Sequence, residues 1–159
     1  MKDAMALKIT NTVVGLDVHL TINGVIDENV DLPTFDGEIQ GKLVVNLEHL
    51  TMINSLGCRV WSKWIKGIKA KQGVVLSHCS PAFIAQVNVL QNFVPAGVAI
   101  ESLHVPYMCA SCNHREKLLY PSGQALGAAN ACPCPNCGAV MDIDVMPAQY
   151  FHFLQKKAA

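Results

Sequence analysis

The chain has 159 residues, 51% of them hydrophobic and only 15% charged, which is enough to fill one medium domain or one domain with a small appendage. Lys+Arg and Asp+Glu are 12 each, so the formal net charge is zero, and the balance holds on both sides of residue 106. That neutrality excludes a strong field for phosphate backbones, anionic membranes or acidic substrates.

The start, MKDAMALKIT, lacks the apolar core of a secretory signal. Leu16, Val18, Leu20 and Ile22 alternate with Asp17, His19, Thr21 and Asn23, the period of a half-buried strand. Residues 7–14 supply its hairpin partner, with Gly15 at the turn. Glu28 to Gly41 is broken by Pro33 and Gly37 and has room for at most one helical turn. Lys42 to Leu47 is a short, nearly continuous apolar run that suits a central strand. A helix then starts at Ser55, with Leu56, Val60, Trp64, Ile65 and Ile68 as its apolar stripe. Trp64 is expected in the core and Trp61 half exposed, available for binding.

Gly73 ends that helix and Val74–Leu76 is the next buried strand. Ser80-Pro81 opens a second helix, with a hydroxyl cap and proline at the first position. Its stripe is Phe83, Ile84, Val87 and Leu90. The stretch from Ala82 to Ile100 is apolar but holds Gln86, Asn88, Gln91, Asn92 and Pro95. It fails as a membrane span, which needs about 20 mostly apolar residues. Val98–Val105 reads as a last strand. Strands alternating with helices imply parallel pairing through crossovers. The fold class is therefore α/β, a mixed sheet with amphipathic helices over residues 1–106. A small second module follows over residues 107–159.

Five of the seven cysteines lie between Cys109 and Cys137. With an odd total and no secretory signal, this clustering points to metal ligation in a reducing, cytoplasmic compartment. Cys109-Ala-Ser-Cys112 and Cys134-Pro-Asn-Cys137 are two CxxC pairs. Two-residue spacing lets a tight turn aim both sulfurs at one ion, and four sulfurs complete a tetrahedron for Zn²⁺ at about 2.3 Å. Two matched pairs favour metal over a redox dithiol, and four thiolates favour a closed, structural site over a catalytic one. Cys132 and His114 are alternative ligands. The pattern resembles the zinc ribbon, with Glu116–Tyr120 and Val140–Val145 as its strands. Pro147 opens a final short helix. Tyr150, Phe151, Phe153 and Leu154 either dock on the rest of the chain or form a homodimer or partner contact.

Leu20-Thr-Ile-Asn-Gly24-Val-Ile-Asp27, then Leu43-Val-Val-Asn-Leu47, then Met52-Ile53-Asn54-Ser55-Leu56-Gly57 resemble the STAS family of anti-sigma factor antagonists. Gly73 to Ser80 and the helix after it extend the resemblance over about residues 5–106. The resemblance implies a non-enzymatic protein that binds a partner, such as an anti-sigma factor, a serine kinase-like protein or another regulator. It also implies release of that partner on phosphorylation. Ser55 matches the phosphoacceptor, and Asn54, Leu56, Gly57 and Trp61 would share the partner surface. Two departures stand out: Asn54 replaces a frequent aspartate, and Glu28–Gly41 is too broken for the family's usual first helix. The competing function is a zinc-ribbon nucleic-acid-binding or transcription accessory module. With only Arg115, Lys117, Lys156 and Lys157 as cations after residue 106, the charge argues against it.

Overall fold

The computed structural model describes residues 7–127 and 132–154. Strands β1 (Lys8–Val14) and β2 (Asp17–Ile26) form the expected antiparallel hairpin, with Val14 opposite Asp17. Along β2, Leu20, Ile22 and Ile26 are buried while Thr21 and Asn23 are only partly covered. The period of two thus translates directly into one core-facing side. Strands β3 (Leu43–Asn46), β5 (Val74–Ser77) and β6 (Val98–Ile100) add in parallel, giving the order β1-β2-β3-β5-β6. The sixth strand, β4 (Leu50–Ile53), pairs in parallel with the far end of β2. Residues 28–41 hold no helix.

Helix α1 (Ser55–Gly67) and helix α2 (Pro81–Val89) follow β4 and β5. Ser80 caps α2 through its hydroxyl, which accepts from the Phe83 amide at 3.3 Å. The buried face of α1 is Gly57, Cys58, Trp61 and Ile65. That face is turned about the helix axis from the expected stripe, and it corrects the reading of the two tryptophans. Trp61 is fully buried, its ring 5.1 Å from Phe83 and 6.0 Å from Phe93, with its indole N–H donating to the Phe93 carbonyl at 3.2 Å. Trp64 is the half-buried one and donates to the Pro33 carbonyl at 2.7 Å. The phase follows from Gly57. A Cβ there would overlap the Ile26 carbonyl, so the glycine brings the helix's first turn against the end of β2.

The expected strand Val98–Val105 divides at Glu101. The Glu101 amide still bonds the Leu76 carbonyl of β5, at 2.8 Å. Strand β7 (Ser102–Met108) then leaves to found a second, antiparallel sheet with β8 (Arg115–Pro121), β10 (Val140–Ile143) and β9 (Cys132–Pro133), in the order β8-β7-β10-β9. The boundary placed near Pro106 therefore falls inside β7. A parallel bridge from Cys79 to Leu103 also ties the two sheets together. A 3-10 turn, Ser122–Gly127, follows β8.

The short helix α3 (Pro147–Tyr150) carries the aromatic tail back onto this junction. Tyr150, Phe151 and Phe153 are buried. The Tyr150 hydroxyl donates to the His104 carbonyl at 2.6 Å. Asn88 of α2 clasps the tail from both sides. Its Nδ2 donates to the Tyr150 carbonyl at 2.8 Å, and its Oδ1 accepts from the Phe153 amide at 3.0 Å. These aromatics thus dock on the chain itself. No helix among the described residues is long and apolar enough to cross a membrane.

Candidate metal centre and the exposed end of helix α1

Two turns of one design present the cysteines. After β7, the Cys109 amide donates to the His114 carbonyl and the Asn113 amide to the Cys109 carbonyl, both at 2.8 Å. After β9, the Cys134 amide donates to the Ala139 carbonyl at 2.6 Å and the Gly138 amide to the Cys134 carbonyl at 2.8 Å. The bonds match step for step. In each turn the residue directly after the second cysteine is left-handed, Asn113 at φ 62° and Gly138 at φ 80°. Asparagine and glycine are the residues that accept this conformation at least cost. Antiparallel pairing of β10 with both β7 and β9 brings the two turns together.

The four sulfurs of Cys109, Cys112, Cys134 and Cys137 all lie within 4.8 Å of one another. Cys109 Sγ is 3.5 Å from Cys137 Sγ, and Cys112 Sγ is 3.7 Å from Cys134 Sγ. A disulfide needs about 2.05 Å, so these are thiols in contact and not bonded pairs. A tetrahedron with bonds of about 2.3 Å has edges of about 3.8 Å, close to the observed spacing. The cluster can therefore hold a metal ion. Cys109 and Cys134 are buried, Cys112 is partly covered and Cys137 is exposed. Neither Cys132 nor His114 belongs to the group, so among the described residues the regular pairs make up the cluster that could hold an ion.

The electrostatics favour a cation at the centre. The Asn136 side-chain amide, 3.3 Å from Cys112 Sγ, together with the backbone at His114, lowers the Cys112 thiol to about 6. At Cys137 the Ala139 amide favours the thiolate, but the crowding sulfurs of Cys109 and Cys112 outweigh it and push the thiol up to about 12. One thiolate thus forms readily and its neighbours resist, because like charges this close cannot all persist unneutralised. A divalent ion removes that conflict and releases the protons. Asn136, inside the second CxxC, is not one of the four candidate ligands, yet it braces two sulfurs, since its backbone amide also donates to Cys134 Sγ at 3.4 Å.

On the first sheet's side of the chain, Asn54 caps α1. Its Oδ1 accepts from the Gly57 amide at 2.7 Å and its Nδ2 donates to Glu28 at 3.2 Å. Capping by Asn54 relieves Ser55 of that role. Ser55 occupies the first helical position, exposed, with no hydrogen bond to its hydroxyl among the described residues. Asn54 and Leu56 are exposed beside it, whereas Gly57 and Trp61 are buried. Those two residues shape the helix end from beneath and offer no surface to a partner. Ser55 borders a groove of about 600 Å³ between the start of α1 and the end of α2, lined by Ile53, Cys58, Arg59, Gln86, Leu90 and Phe93 among others. No family model, curated protein or solved structure matches the chain.

Proposed function

We propose that this chain is a non-enzymatic regulatory protein that binds another protein in the manner of an anti-sigma factor antagonist, with Ser55 as the phosphoacceptor that sets the affinity. The observation that carries this reading is the exposed Ser55 hydroxyl, without a hydrogen bond among the described residues, at the head of a 13-residue helix on the rim of the α1/α2 groove. A phosphate there adds roughly −1.5 to −2 charge to a neutral surface at pH 7. The helix tolerates it: the first turn holds no acidic residue, the N-terminal end of the dipole favours an anion, and exposed Arg59 lies one turn on. The free-energy cost falls on the partner, which must desolvate or face the new charge. The result is a local electrostatic switch with the fold unchanged.

In this reading the four-cysteine centre holds Zn²⁺ in a structural role. An all-sulfur shell with tetrahedral spacing suits zinc, and it leaves no position for a reacting water. The ion braces the second sheet, which joins the first through β7. The test is capture of binding partners by the full chain, by Ser55→Ala and by Ser55→Asp. A protein retained by the first two and lost with Ser55→Asp supports the reading. Equal retention by all three removes Ser55 from it.

A further inference from the structure

We propose that two copies of this chain pair through β1, edge to edge and antiparallel, to make a twofold dimer with one continuous sheet. Strand β1 is the outer strand of the first sheet. It bonds β2 on one side, and among the described residues no strand covers the other. Alternate residues of an edge strand direct N–H and C=O groups outward, and the partner that satisfies such a row is another strand.

Natural sheets protect exposed edges with charge, proline or a bulge. β1 carries none of these after Lys8. It reads Ile9-Thr-Asn-Thr-Val-Val14, its seven pairs with β2 run without a register shift, and every residue except Ile9 is exposed. Val13 and Val14 are 67% and 57% exposed. A long, straight, uncharged edge of β-branched residues is a surface made to be covered.

The identity of the partner follows from the order of residues about Asn11. Placing a twofold axis there sets Asn11 opposite its own copy, Thr10 opposite Thr12 of the other copy, and Ile9 opposite Val13 of the other copy. Threonine pairs and β-branched apolar pairs are favourable cross-strand neighbours. The strand is therefore complementary to itself in the antiparallel sense, which is the sense a twofold axis generates. The charges agree as well. Lys8 falls opposite Val14 of the other copy, and the two lysines stand at opposite ends of the ribbon, about 20 Å apart at the rise of a strand. No like charges meet. Pairing along one strand makes a smaller interface than a permanent dimer uses, so the association is reversible and concentration-dependent.

Sedimentation of the whole 159-residue chain, purified in the presence of Zn²⁺, across the micromolar range tests this. The expected result is a mass that rises toward twice the chain mass with concentration. Asn11→Lys sets two lysines directly opposite each other on the axis, their Cβ atoms about 5 Å apart, and gives a monomer with an unchanged far-UV spectrum. Asn11→Cys, placed opposite itself, gives a disulfide-linked dimer on mild oxidation, whereas Thr10→Cys, placed opposite Thr12, gives no more than the parent chain. A wild-type protein that stays monomeric throughout overturns the proposal. So does a dimer that survives Asn11→Lys, or equal cross-linking of the two cysteine variants.

Discussion

Replacing Ser55 by aspartate separates a stability effect from a binding effect, and the two are expected to have opposite signs. Position 55 is the first residue of α1, Asn54 already caps the helix, and among the described residues the serine hydroxyl makes no bond that the change would break. A carboxylate in the first turn gains about 0.3–1 kcal/mol from the helix dipole at low salt. Pairing of that carboxylate with Arg59, four residues on, adds about 0.2–0.5 kcal/mol. Glu28, which accepts from Asn54 at 3.2 Å, opposes part of this by like-charge repulsion. The net gain is about 0.5 kcal/mol, equivalent to a rise of about 1–2 °C in melting temperature for a chain of this size. The rise should fade as added salt screens it. Over the same change, affinity for the partner should fall by about tenfold or more, a loss of about 1.4 kcal/mol or more. Calorimetry on wild type and Ser55→Asp, paired with binding to the captured partner, gives both numbers. A variant that melts several degrees lower has lost binding through its fold, which would refute the claim that the charge acts on the partner alone.

Other outcomes follow from the packing and the cysteines. Gly57→Ala forces a methyl into the Ile26 carbonyl and should cost about 1–3 kcal/mol in denaturant unfolding. Trp61→Ala should cost about 3–5 kcal/mol, and Trp64→Ala distinctly less, because only Trp61 is fully enclosed. Cys109→Ser or Cys134→Ser should abolish tight binding of one metal ion, and Cys132→Ser should leave it intact, as read by metal content and Co²⁺ spectra. Chelating the ion should lower the melting temperature and expose the second sheet first. Burial lowers the His104 pKa, with Lys117 and His78 acting in the same direction and the Glu48 carboxylate, 3.3 Å away, opposing them. The unfolded chain therefore takes up this proton first as pH falls. The stability contributed by neutral His104 is present above about pH 6.5 and is lost below it, and His104→Gln should flatten that slope in thermal melts.

Much of this architecture is legible in the sequence because its signals are local. The hairpin, the strand at Leu43, the capped start of α2 and the paired cysteines each declare themselves through a period, a cap or a spacing. The features that escape depend on tertiary contact. Strand β4 hides because a register shift between Gly24 and Val25 leaves Thr51 and Met52 exposed in succession, which breaks the alternation. The strand pattern from Val98 to Val105 is continuous, and nothing in it marks Glu101 as the point where the chain changes sheets. The sequence points to the wrong phase for α1 because the stripe containing Leu56, Val60, Trp64 and Ile68 is more apolar than the buried face of Gly57, Cys58 and Trp61. Only the close approach at Gly57 decides which one faces the sheet. At the metal centre, a further signal completes the pattern: a residue suited to the left-handed conformation follows each CxxC, asparagine in one turn and glycine in the other.

The central claim, that one serine on the rim of the α1/α2 groove receives the regulating charge, is tested most directly by intact-mass measurement after incubation with ATP and extract of the source cells. The account predicts a single phosphate on the wild-type chain and none on Ser55→Ala. Equal uptake by both chains, or none by either in an extract shown to be kinase-active, would contradict it.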